Sequence, residues 1–259
     1  MRSLCLLAVL CCPLAQAEAL VKVESNSLLR LPTTTSVLLL DRLEVADHGT
    51  LLIPSSLNEI RVGELRLGRD ARIAIAPSAQ AFRLQVVRAE LGAGSHINAR
   101  GATGTQQQPA TAGRNLSVRL ESVTLAELTL DARGGVGAPG YRGLDGADGD
   151  SAGCTWGQAS RGYDGQNGGN GQSGAAGGQV RLEVPEEFPA QLLHVRLDGG
   201  AGGAAGEAGS GGAGGAAKGC LFYRAAGARA GRPGQPGQPG AAGSAGSFNL
   251  VRFGQEPSK

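Results

Sequence analysis

Three kinds of residue in this 259-residue chain could do chemistry, and each has a plain structural alternative. The histidines His48, His96 and His194 are scattered; His96 and His194 fall at equivalent corners of a repeat but two turns apart, roughly 10 Å, too far to share one metal. Asp145, Asp148 and Asp150 put oxygen ligands of the calcium-preferring type close together, yet without the rest of any known calcium loop they read equally as solvated acids. Glu44, Arg66, Glu90 and Thr124 form a candidate outward ladder for a polysaccharide-active enzyme, but their alternating signs also describe ordinary cross-strand pairing. No His-Glu-x-x-His or phosphate loop occurs, and the expectation is a non-enzyme with no cofactor and no resident metal.

Cysteine chemistry is more pointed. Arg2, the apolar run Leu4–Leu14 and Ala15-Gln16-Ala17 have the order of a secretory signal over residues 1–17. Removing it takes Cys5, Cys11 and Cys12 and leaves Cys154 and Cys220 in an oxidising compartment. Cys154 lies 23 residues beyond Asp131 and Cys220 lies 22 beyond Asp198, so two arms of matching length bring both thiols to one end, and a Cys154–Cys220 disulfide is expected. Beside them gather Trp156, Arg161, Tyr163, Phe222, Tyr223, Arg224 and Arg229, in a chain with only nine aromatics. They are either a small cap over the arm ends or a recognition tip.

The elements that must hold this tip follow from periodicity. From Ala19 to Gly135 apolar residues alternate, and three short strands recur as Leu38/Leu40, Leu43/Val45 and Leu51/Ile53, then Ile60/Val62, Leu65/Leu67 and Ile73/Ile75, and onward. Spacings of 22, 24 and 34 residues, the last enlarged by a Gln/Thr-rich loop at 101–113, predict a parallel β-helix, or solenoid, with a β-sandwich as the alternative.

The remainder is dominated by glycine. Of 44 glycines, 35 lie between Gly134 and Gly246, and long runs keep a strict three-residue spacing broken only near the two cysteines. That period matches the polyproline II helix, with about 3.1 Å rise per residue, and a bare edge where other backbones can approach. The expected organisation is a signal over 1–17, solenoid over 18–133, a first Gly-x-y hairpin over 134–178, a solenoid turn over 179–198, a second hairpin over 199–246, and a last strand and tail over 247–259. Both hairpins and the Gln/Thr loop leave one corner of successive turns, which makes a four-rod bundle.

Runs such as Gly231-Arg-Pro-Gly-Gln-Pro-Gly-Gln-Pro-Gly240 resemble bacterial collagen-like proteins. They also resemble the polyglycine II bundles of phage tail-tip adhesins and of a glycine-rich antifreeze protein. The resemblance covers Gly134–Gly246 and is one of pattern. It implies an exported structural or adhesin-like protein, in the periplasm, on the cell surface or outside the cell, that meets a protein or polysaccharide partner. Alternatives are a collagen-like trimer, an ice-binding protein, or the β-helix enzyme above. A triple helix needs three chains and uninterrupted triplets; the short, interrupted runs favour a monomer over a homotrimer. Within a bundle, Pro139, Pro233, Pro236 and Pro239 lack an N–H and should face solvent. The net charge of +2, without a basic stripe, predicts no nucleic-acid partner, and no later stretch is long and apolar enough to span a membrane.

Overall fold

The computed structural model describes residues 19–32 and 35–254; the export signal expected over 1–17 and the last residues of the tail lie outside them. The described chain is nearly all β, with one short 3-10 turn at Ala190–Leu192. One parallel sheet collects β1 (Leu20–Val23), β3 (Val37–Val45), β5 (Glu59–Leu67), β7 (Phe82–Leu91), β9 (Leu116–Leu125), β11 (Val180–Pro185) and β15 (Phe248–Phe253) in that spatial order. A second collects β2 (Leu28–Arg30), β4 (Thr50–Ile53), β6 (Arg72–Ile75), β8 (Ser95–Asn98), β10 (Leu128–Asp131) and β12 (Leu193–Arg196). Successive strands alternate between the sheets, an arrangement compatible with the β-solenoid expected from the repeat.

The register explains the three alternating pairs. Leu40 pairs with Val62 and Arg42 with Glu64, while Asp41 and Gly63 between them drop out of the pairing. Across that interruption the inward series shifts by one residue, from Ile60 and Val62 to Leu65 and Leu67, all buried. Each long strand therefore supplies two inward-facing stretches and each short strand a third. Leu51, Ile73, Ile97 and Leu130 stack in register and are all buried, so every turn covers apolar surface of the turns beside it.

A different corner is marked by left-handed backbone. Asn26, His48, Asp70 and Gly94 all have positive φ, between 53° and 69°, at equivalent points of consecutive turns. Three polar residues take the conformation that glycine takes at the fourth, as expected of Asn, Asp and His. His48 thus has a structural place, and its Nδ1 lies 3.6 Å from Asp70 of the next turn.

Among the described residues Arg114 is the most deeply buried charged side chain, 1% exposed. Its guanidinium donates to the carbonyls of Gln80 (2.8 Å), Ala76 (3.2 Å) and Leu57 (2.9 Å) and to Asn58 Oδ1 (2.8 Å), and it lies over the Phe82 ring. A single arginine thus satisfies the carbonyls of loops from two successive turns.

The glycine-rich segments emerge between the sheets. Chain leaves at the ends of β8, β10 and β12, which are neighbours, and returns at the starts of β9, β11 and β15, also neighbours. We label the four long segments I (134–152), II (160–178), III (198–216) and IV (228–246). Backbone hydrogen bonds join them at every third residue. Segment I donates to III, parallel to it, from Gly134 N–H to Asp198 O through to Ala152 N–H to Ala216 O. Segment II donates to I, antiparallel, as in Gly169 N–H to Tyr141 O, and to IV, parallel, as in Gly168 N–H to Gln235 O. Segment III donates to II, and IV to III, both antiparallel. Segments II and III each bond to the other three, while I and IV each bond to II and III.

Segment 101–113 departs from its expected reading as a loop. Gly101 donates to Arg133, just before segment I, Gly104 to Val136 of segment I, and Gly113 to Ala176 of segment II. It lies against the base of segments I and II. Its glycines are few, so its three-residue period was hidden by the Gln/Thr composition.

Candidate functional site

The far end of the glycine segments is built by two turns. Gly153 N–H donates to Gly157 O (3.0 Å), and Gly157 has φ +90°, closing the turn that carries Trp156. In the second, β13 (Lys218–Gly219) pairs antiparallel with β14 (Arg224–Ala225), and Cys220 N–H donates to Tyr223 O (2.8 Å). That bond leaves Leu221 and Phe222 at the apex. The Cys154–Cys220 disulfide joins the two turns, with Cα atoms 5.6 Å apart, and the Tyr223 hydroxyl donates across them to the Cys154 carbonyl. The expected pairing of the thiols is present.

The expected tip residues divide by role. Trp156 is 89% exposed and Phe222 92%, so neither packs down as a cap; Tyr223 adds a hydrogen bond to the disulfide that joins the turns. Arg161 is engaged with Asp164 at 2.6 Å, and Tyr163 stands exposed on segment II, its carbonyl accepting from Gly212. Arg224 and Arg229 are exposed, and neither forms an ion pair among the described residues. A groove of about 610 Å³ runs between the two turns, lined in part by Trp156, Tyr223 and Arg224. Two residues not singled out in the sequence also belong here: Leu221, 89% exposed, and Lys218 on β13. Their signal was their position flanking Cys220 inside the phase break.

Asp145, Asp148 and Asp150 do not converge on one point. Asp145 Oδ1 accepts the backbone N–H of Ser210 (2.7 Å) and Asp148 Oδ1 that of Ala213 (2.6 Å), so both carboxylates face segment III instead of each other. Among the described residues no group of three His, Cys, Asp or Glu side chains converges to hold a metal. The same contact recurs on the other flank. Asp164, Asn167 and Asn170 of segment II accept the N–H groups of Arg232, Gln235 and Gln238 of segment IV, at 2.7, 2.7 and 2.8 Å. Each acceptor immediately precedes a glycine, and that Asx-Gly step at a three-residue period was the legible sign of the ladder.

The remaining candidates are occupied by neighbours. Glu44, Arg66, Glu90 and Thr124 do stack in register, but Arg66 contacts Glu64 at 2.6 Å and Glu90 at 3.4 Å. Burial would raise the Glu64 carboxyl, yet hydrogen bonds from Arg42 and Arg66 hold it below its ordinary value. His96 and His194 flank Thr129 on successive strands, and His194 Nε2 lies 3.3 Å from Glu127.

No protein-family model, characterised protein or solved structure matches this chain.

Proposed function

We propose that this is an exported, non-enzymatic scaffold: a β-solenoid whose glycine-rich hairpins form a polyglycine II bundle that holds out a disulfide-tied recognition tip. The observation that carries this reading is the near-complete exposure of Trp156 and Phe222 at the end of segments cross-linked at every third residue. Ordering glycine is entropically costly, and exposing large apolar side chains forgoes their burial. A chain that does both in one place is best explained by a partner that meets that place.

Several features support the bundle. A three-residue repeat of hydrogen bonds to neighbours in several directions, with both parallel and antiparallel contacts, is what packed three-fold helices require. A Cβ on Gly203 would overlap the carbonyl of Ala138, so close approach demands glycine there. Pro139, Pro233, Pro236 and Pro239 are all exposed, where a missing N–H leaves no partner short. These contacts are made within one chain, which favours a monomer over a collagen-like trimer. The disulfide supports an oxidising compartment and thus the export signal. Among the described residues no helix is long and apolar enough to cross a membrane.

The test is adhesion. Fluorescently labelled mature protein should bind intact cells of its own producer or of that producer's neighbours, and Trp156→Ser with Phe222→Ser should abolish binding without altering the melting temperature. Unchanged binding by that variant would exclude the tip.

A further inference from the structure

The tip has a composition that narrows its partner. Between residues 152–159 and 217–230, the two stretches that build it, there is no acidic residue, while Lys218, Arg224 and Arg229 contribute three cations. None of the three forms an ion pair among the described residues, whereas Arg42, Arg66, Arg119 and Arg133 each lie beside a carboxylate. Lys218 pairs with Ala225 and Arg224 with Gly219, so the two cations stand on adjacent rungs and opposite faces of the little hairpin, directly behind the apex. Ahead of them project Leu221 and Phe222, 89% and 92% exposed, with Trp156 on the adjoining turn.

Apolar residues at a convex point, a basic collar behind them and a Trp and a Tyr at the boundary form a graded surface. A soluble ligand needs walls, and Leu221 and Phe222 have none. A bilayer supplies what both layers lack: an apolar medium for the apex and negative headgroups for the collar. Aromatic side chains with one polar end are at home at that boundary.

We propose that this end docks on the surface of an anionic lipid bilayer, with Leu221, Phe222 and Trp156 entering the headgroup–acyl boundary and Lys218, Arg224 and Arg229 contacting phosphate-bearing headgroups. The groove behind the apex places Arg224 beside Trp156 and Tyr223, a concave seat for one such headgroup. The proposal rests on the tip being the recognition surface and specifies what it recognises.

Vesicles of phosphatidylcholine alone and of phosphatidylcholine with phosphatidylglycerol test it, using oxidised mature protein. Trp156 is the only tryptophan, so its emission reports the tip alone. Co-flotation with the anionic vesicles and a blue shift of that emission are expected, both weakening as salt is raised. Lys218→Gln with Arg224→Gln should weaken binding about tenfold or more, at about 1 kcal/mol per basic residue. Leu221→Ser with Phe222→Ser should abolish the blue shift while leaving the disulfide and melting temperature intact. Absence of binding to anionic vesicles, equal binding to both vesicle types, or binding with unchanged emission would each overturn lipid docking. If cells still bind the protein through Trp156 and Phe222 while vesicles do not, the tip meets a protein or glycan and the recognition reading survives. If neither binds, both readings fall.

Discussion

The side-chain oxygen of Asn167 accepts the backbone N–H of Gln235 at 2.7 Å, one residue before Pro236, which has no N–H to offer. Together with Asp164–Arg232 and Asn170–Gln238, this accounts for the backbone donors of segment IV from Gly231 to Pro239. Glycine N–H groups bond to segment III, the next residue is capped by Asp or Asn, and the third is proline. That flank has no donor left with which to recruit a further segment, the glycine-helix counterpart of a protected sheet edge.

Restoring donors should therefore open the flank. Asn167→Ala with Pro236→Ala and Pro239→Ala should make the protein self-associate, measured by sedimentation velocity. Asn167→Ala alone should cost about 0.5–1.5 kcal/mol in thermal unfolding, the net value of one hydrogen bond. If the multiple variant does not self-associate at high concentration, this flank is not what limits association.

Packing of the segments makes a sharper demand. Gly203→Ala forces a methyl group into the Ala138 carbonyl, whereas Ala204→Ser lies on an exposed line. The first should destabilise the bundle by about 1–3 kcal/mol or more, and the second by less than about 0.5 kcal/mol. Hydrogen exchange of the glycine amides in segments II and III distinguishes them.

The disulfide closes a span of 66 residues. Cys154→Ser with Cys220→Ser should lower stability by about 4 kcal/mol in the chain-entropy account, while the hydrogen bonds along the segments persist. Peptide mapping of non-reduced protein checks the pairing. Exchange that accelerates only near the tip would confirm that the bundle does not depend on it.

Between the two parallel sheets, Arg114→Met should be among the most damaging substitutions. It removes the donors to the carbonyls of Leu57, Ala76 and Gln80 and to Asn58, leaving buried acceptors unpaired, and should cost about 3 kcal/mol or more in denaturant unfolding.

Acid should loosen the root of the first long hairpin. Asp131 is 7% exposed; burial alone would raise its pKa, but hydrogen bonds from the Arg133 side chain and N–H, with the charges of Arg133 and Arg100, hold it below 3.8. A depressed carboxylate contributes stability above its unfolded value, and that contribution is lost as the pH falls through the lower folded value. Melting temperature should thus drop below about pH 4, by less in Asp131→Asn than in the parent.

The sequence by itself determined the strand repeat, because an inward apolar residue can be recognised by its period alone. Leu43, Leu65 and Ala89 show this, as does the 22-residue step that pairs Val37 with Glu59. It also determined the three-residue glycine period and the pairing of Cys154 with Cys220, since arms of equal length must end together. Only the tertiary structure decided which segments bond to which, that the 101–113 stretch joins them, and that Asp145 and Asp148 face Ser210 and Ala213. Those contacts join residues about 65 positions apart, and a local pattern carries no information on which neighbour a donor meets. The tip was legible as a cluster and undecided as a surface. Exposure is a property of what lies alongside, and the fold leaves Trp156, Leu221 and Phe222 89%, 89% and 92% exposed.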